Sequence, residues 1–147
     1  MSRVAQLLKI VRPEEIEVVT TSPNTTILEA AFLMKEKSIG ALPVIDEGMM
    51  VGIISERDLV FKVIVDEAYT AEATVGEYMT KFPEYVTPFT DVMDCLNLME
   101  EKRVRHVPVL DKGKLVGIVS IRDVLYVLLK NQELVAQQFE SYILGAR

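Results

Sequence analysis

The chain has 147 residues, half of them hydrophobic and 26% charged, which suits one compact domain or two small modules sharing a core. A formal charge of −6 argues against general nucleic-acid affinity, which depends on neutralising phosphates with Lys and Arg. The single cysteine excludes an intramolecular disulfide, and no apolar run approaches the ~20 residues needed to span a bilayer. The N-terminus, MSRVAQLLKIVRPEE, lacks a small-residue cleavage site, so a soluble cytoplasmic protein with no membrane association is expected.

In chain order, residues 4–11 have an amphipathic helical pattern and should pack against the second half of the chain or a partner. A β-rich stretch, EVVTTSP at 17–23, then leads to a helix bearing Ile27, Ala30, Ala31 and Met34 on one face, capped by Thr25 or Thr26. ALPVI and MMVGII are short strands joined by Asp-Glu-Gly, a hairpin signal in which Gly supplies positive φ. A second helix runs from Glu56 to about Val65. The order then recurs: EYVTP at 84–88, a helix with Val92, Cys95, Leu96 and Met99 capped by Thr90 or Asp91, strands VPVL and KLVGIV around Asp-Lys-Gly, and a helix from Ile121 to about Leu129. Residues 130–144 continue as an amphipathic helix with Leu134, Val135, Phe139 and Ile143 on or near one face, and a second protomer is a candidate to cover them.

Sliding the sequence by 65 positions matches Pro23–Leu59 to Pro88–Val124 without gaps, with 16 of 37 residues identical. This is an internal repeat of β-α-β-β-α units, with boundaries at 15–70 and 74–130 and a helical tail at 131–147. The fold class is α+β, two repeats packed sheet to sheet about a pseudo-twofold axis. Cys95 is read as a small buried packing group, and Met34, Met49, Met50, Met79, Met93 and Met99 as core or interface fillers.

Each copy ends in Gly-Ile-hydrophobic-Ser-x-Arg-Asp, at 52–58 and 117–123. Ser-x-x-Asp is a capping box, which explains Ser and Asp but neither the Arg nor the Gly. A helix N-terminus also suits phosphate. Ser55 and Ser120 would add a hydroxyl and Arg57 and Arg122 a charged fork, while Gly52 and Gly117 would let ligand or backbone approach closely.

The duplicated unit, with IGALPVID and VRHVPVLD, the Asp-x-Gly hairpins and both G-h-h-S-x-R-D endings, resembles a tandem pair of CBS domains, or Bateman module, over roughly residues 15–130. It resembles in particular the small stand-alone CBS-pair proteins. The resemblance implies a regulatory, energy-sensing module, commonly a homodimer, that binds AMP, ADP, ATP, NAD(H) or S-adenosylmethionine between the repeats and requires no cofactor. It implies that Asp58 and Asp123 accept the ribose hydroxyls, and that residues ahead of the second strand serve the phosphate. These are Arg105 and His106, before Pro108, in copy two, but the uncharged Gly40 and Ala41 in copy one. The Asp123 site is therefore expected to bind a phosphorylated ligand well, with Thr20, Thr21 and Ser22 crossing over to line it. The Asp58 site, with Val86 and Thr87 nearby, is expected to be weaker, empty or suited to an uncharged moiety, and a dinucleotide could span part of both.

No nucleophile–base–orienter set is present, so no catalysis is expected. His106 has no companion for a metal and is either a phosphate contact or a structural surface residue. The alternative to a nucleotide sensor is a ligand-free structural module that dimerises and binds partners.

Overall fold

The structure, a computed structural model, describes residues 2–14 and 17–145. The first repeat comprises α2 (Ile27–Lys37), β1 (Ala41–Asp46), β2 (Met49–Ser55) and α3 (Glu56–Asp58), the last continuing as a π-helix over Leu59–Ile64. The second comprises α5 (Val92–Lys102), β4 (His106–Asp111), β5 (Lys114–Ser120) and α6 (Ile121–Gly145). Outside these units lie α1 (Val4–Val11), α4 (Val75–Tyr78) and β3 (Thr80–Lys81).

Both hairpins are antiparallel with two-residue turns. Glu47 and Gly48 have φ of 49° and 79°, and Lys112 and Gly113 have 51° and 80°, the paired positive values of a type I′ turn. Thr26 caps α2 through the Glu29 amide, and Asp91 caps α5 through the Met93 amide.

The expected first strand of each repeat shrinks to a single parallel bridge, Thr21 to Val44 and Val86 to Val109. Each is held by two backbone hydrogen bonds: Thr21 and Ile45 in one, Val86 and Leu110 in the other. The β-branched residues are there, but Pro23 and Pro88 turn the chain away before a ladder can extend.

Each repeat has its own core. One gathers Ile27, Ala30, Met34, Leu42, Val44, Ile54 and Val63, and the other Val92, Cys95, Met99, Val107, Val109, Val119 and Val124. Strands β2 and β5 meet between them. The boundaries are crossed in a way that the 65-residue repeat does not reveal. Ala73 and Val75 belong to the first core, and Val4 and Leu7 to the second.

The two added segments are themselves related, by 71 positions. Val92 donates its amide to Ser2 O and Ile27 to Ala73 O, while Arg3 bridges Asp91 and Thr26 bridges Thr74. Val4 and Val75 are both fully buried. Each repeat is thus closed by the segment preceding the other one. This leaves the first core contiguous over residues 19–79 but makes the second discontinuous, since it draws Val4 and Leu7 from ahead of the first repeat. The short β3 then extends the first sheet to the order β1-β2-β3.

The second helix of repeat one differs from expectation. Val65 donates to Val60 O and Ala68 to Val63 O, five-residue spacings that define the π-helix. In repeat two the same position is α-helical and runs unbroken into the tail. The side chains of Leu134, Val135, Phe139 and Ile143 lie outside the described residues. Among those described, no helix is long and apolar enough to cross a membrane.

Candidate functional site

The register of the second hairpin assembles a polar corner. His106 pairs with Ser120 across β4 and β5, and the Ile121 amide donates to Arg105 O at 2.9 Å. The chain then enters α6, where the Ser120 amide donates to Asp123 Oδ2 at 2.9 Å and the Asp123 amide donates to Ser120 Oγ at 3.2 Å. The expected capping box is therefore made. It uses two of the amides that a helix N-terminus would otherwise offer, leaving the Arg122 amide without a hydrogen bond among the described residues.

This corner opens on a cavity of about 1130 Å³ between the repeats, here called cleft one. Ser120, Arg122, Asp123, Arg105 and His106 form one wall. Val19, Ala31, Met34, Ile39 and Ile118 supply apolar surface, with Tyr126 from α6. Arg12 and Lys35 add positive charge, and Glu56 adds a carboxylate. The combination of an apolar slot with a few convergent polar groups is that of a small-molecule site.

A smaller cavity of about 330 Å³, cleft two, is lined by Arg57, Leu96, Met99, Glu100, Arg103, Val104, Arg105 and Ile121. Shifted by 65 residues, Ala31, Lys35, Ser38, Gly40 and Glu56 of cleft one become Leu96, Glu100, Arg103, Arg105 and Ile121. Larger side chains at four of these five positions explain the threefold difference in volume.

The two aspartates also differ. Asp58 Oδ2 accepts from the Ser55 amide and hydroxyl, and Oδ1 meets Lys62 Nζ at 3.1 Å. In copy two the residue matching Lys62 is Val127, and Asp123 has no ion pair among the described residues.

Not every residue singled out in the sequence reaches a cleft. Thr20, Thr21 and Ser22 do not line cleft one; Val18 and Val19, just before them, do. Thr21 is spent on the bridge to β1, and the Ser22 and Thr25 hydroxyls bond each other at 3.1 Å. Pro108 is buried within β4, and its carbonyl accepts the Val86 amide. Thr87 is tied to Thr90 and Phe89, Val86 is core, and neither Ser55 nor Asp58 lines cleft two.

The close approach expected at Gly52 and Gly117 is present, and of the candidates, ligand or backbone, it is protein that makes it, with backbone at Gly52 and a side chain at Gly117. A Cβ at Gly52 would lie 2.5 Å from Met79 Sδ and 2.8 Å from Thr80 O, and one at Gly117 would lie 3.0 Å from Leu8 Cδ2. The close approach is made by the two added segments, not by a ligand. Gly40, not singled out for its shape, is the glycine beside the site: a Cβ there would stand 3.1 Å from His106 Cε1 and 3.2 Å from Glu56 Oε1.

His106 is half-buried where the repeats meet, and burial holds its pKa below the ordinary value. The charges of Glu56 and Asp123 work against that shift, and Arg105 works with it. The resting imidazole is therefore neutral near pH 7 and can donate only one hydrogen bond. Cys95 is fully buried, and burial pushes its thiol up to about 11. No group of three His, Cys, Asp or Glu side chains able to hold a metal occurs among the described residues.

Arg12 and Tyr126 were missed because they lie outside the repeated stretch, and Lys35 and Glu56 because they are positions at which the two copies differ. The exchange of Lys35 for Glu100 and of Glu56 for Ile121 between the copies was the available signal.

Residues 10–64 and 75–130 each match the CBS domain family. A solved CBS-domain protein from Burkholderia ambifaria MC40-6, with a proposed role in signal transduction, is 40% identical. It superposes with a TM-score of 0.84 over 89% of this chain and 96% of its own. CBSX2 in complex with AMP is 27% identical, with a TM-score of 0.72 over 88% of this chain and 98% of that one. The CBS domain pair of protein MJ0100, in complex with 5-methylthioadenosine and S-adenosyl-L-methionine, is 26% identical, with a TM-score of 0.77 over 89% and 98%. With two matched repeats that close on each other around a shared cleft, the chain belongs to the CBS-domain family, as a tandem pair.

Proposed function

We propose that this CBS pair is a regulatory module that senses an adenosine-containing nucleotide, of the AMP, ADP, ATP or NAD(H) class, in cleft one. The observation that carries the reading is the coincidence, on one cavity wall, of Ser120, Arg122, Arg105 and His106 with an Asp123 that makes no ion pair among the described residues. Arg105 and Arg122 supply guanidinium forks suited to phosphate oxygens. Asp123, with Oδ2 on the Ser120 amide, keeps Oδ1 to accept from ribose hydroxyls. The apolar surface of Ala31, Met34 and Ile39 suits a purine face. The AMP and S-adenosylmethionine complexes of related CBS pairs support the same class of ligand.

Cleft one is walled by both repeats, so a ligand there favours one relative orientation of them and biases that equilibrium by its differential affinity. The chemistry is binding, with no catalytic step. The outward face of Val60, Phe61 and Ile64 is matched 65 residues on by Leu125, Tyr126 and Leu129, and all six are exposed. A second copy of the chain covers this face in the proposed homodimer, which passes the change to a regulated partner. Calorimetric titration with AMP, ATP, NADH and S-adenosylmethionine tests the reading. Saturable binding of at least one is expected. Binding of none would leave a structural dimerisation module.

A further inference from the structure

Arg57, Arg103 and Arg105 converge on cleft two, with Glu100 the single acid on its wall. The salt bridges among the described residues are Lys62–Asp58 and Lys102–Glu84, so none of the three guanidinium groups is in an ion pair there. Arg57 is directed by packing over the Phe61 ring, 5.5 Å from its centroid. Three exposed cations facing a single carboxylate leave the cleft with a net positive charge, and an anion between them relieves their mutual repulsion.

Arg103 carries a second sign. It caps α5 in the left-handed conformation, at φ 54°. Glycine is the usual residue there because a side chain costs conformational energy. Ser38 caps α2 in the same conformation, so the cap belongs to the repeat, and what distinguishes copy two is the long cationic side chain that this position carries into the cleft.

A nucleoside does not suit this cavity. Leu96 fills the place that Ala31 leaves open in cleft one, and Asp58 is held by Lys62 away from the lining. A tetrahedral oxyanion needs less room and several N–H donors. We infer that cleft two is a phosphate subsite, with Arg57 and Arg103 as its own arms. Arg105, which lines both cavities, joins it to cleft one. The phosphate can be free in solution or be the terminal phosphate of a nucleotide whose adenosine occupies cleft one. Only the second source rests on the function proposed above.

The test uses Arg103→Gly, which removes the guanidinium and relaxes the strained cap, so the variant should melt no lower than the parent. Arg57→Ala provides a second variant from the other repeat. Inorganic phosphate, AMP and ATP are titrated calorimetrically into the full chain in low-salt buffer, where charge interactions are least screened. For free phosphate, the parent binds it and each variant loses about tenfold in affinity. For a tethered phosphate, Arg103→Gly weakens ATP by about tenfold and leaves AMP unchanged. If phosphate binds parent and variants alike or not at all, and ATP and AMP respond to the substitution together, the subsite does not exist. Failure of AMP and ATP to bind the parent would count against cleft one, while the phosphate titration would still decide cleft two.

Discussion

Replacing Gly52 and Gly117 by alanine, one at a time, separates packing from ligand access. The two glycines occupy matching places on β2 and β5, and neither has positive φ, so alanine brings no backbone strain. At Gly52 the new Cβ would stand 2.5 Å from Met79 Sδ and 2.8 Å from Thr80 O. The sulfur can swing aside, but the carbonyl belongs to β3, which is paired with this very residue through Lys81, and cannot. At Gly117 the contacts, at 3.0 and 3.1 Å, are both to the Leu8 methyls, which can turn.

Overpacking costs about 1–3 kcal/mol, and the reduced freedom of the unfolded chain returns about 0.4–1 kcal/mol. Gly52→Ala should therefore lose about 1–2 kcal/mol, a fall in Tm of about 2–8 °C for a chain of this size. Gly117→Ala should lie within about 1 kcal/mol of the parent. Urea unfolding curves read the difference, and nucleotide titration of the same samples should show unchanged affinity for both. A neutral Gly52→Ala would mean that β3 does not lie on Gly52. Lost affinity at full stability would mean that these glycines face the ligand after all.

His106 makes the resting protein sensitive to acid. Its pKa is lowered in the folded state, so the unfolded chain binds more protons as pH falls through 6.5, and stability declines there. Melting curves between pH 8 and 5 (about that range) should show this decline reduced in His106→Gln. Bound phosphate favours the imidazolium, so AMP affinity should rise over the same interval in the parent and less in the variant. Cys95, with its thiol raised to about 11 and no exposure, should resist a thiol reagent at neutral pH until denaturant is added. Rapid labelling of the native protein would contradict the packing of the second core. Ile64→Glu, on the outward face of the π-helix, should convert the proposed homodimer to monomers by light scattering, and an unchanged mass would place the interface elsewhere.

Much of this was legible in the sequence because it rests on local chemistry written twice. Asp-x-Gly announced two type I′ hairpins, and Ser-x-Arg-Asp announced two capping boxes beside a polar corner. What was not legible depends on segments that share shape without sharing residues. Residues 2–8 and 73–79 close the two repeats in the same way, yet among them Val4 and Val75 are the one identical pair. A buried β-branched residue and a flexible one over a glycine are all that the packing requires, and Leu8 and Met79 both satisfy it. The asymmetry between the sites was visible at Arg105 and His106 against Gly40 and Ala41. Its larger cause is steric: Leu96 and Arg103 fill what Ala31 and Ser38 leave open, and Lys62 holds Asp58.

The central claim, that cleft one is the nucleotide site and Asp123 its ribose acceptor, is tested most directly by titrating AMP into the parent, Asp123→Ala and Asp58→Ala. Removing a charged acceptor should weaken binding by about tenfold or more in Asp123→Ala. Asp58→Ala should bind AMP like the parent, since Asp58 lines neither cleft. Equal loss in both, or loss confined to Asp58→Ala, would contradict the account.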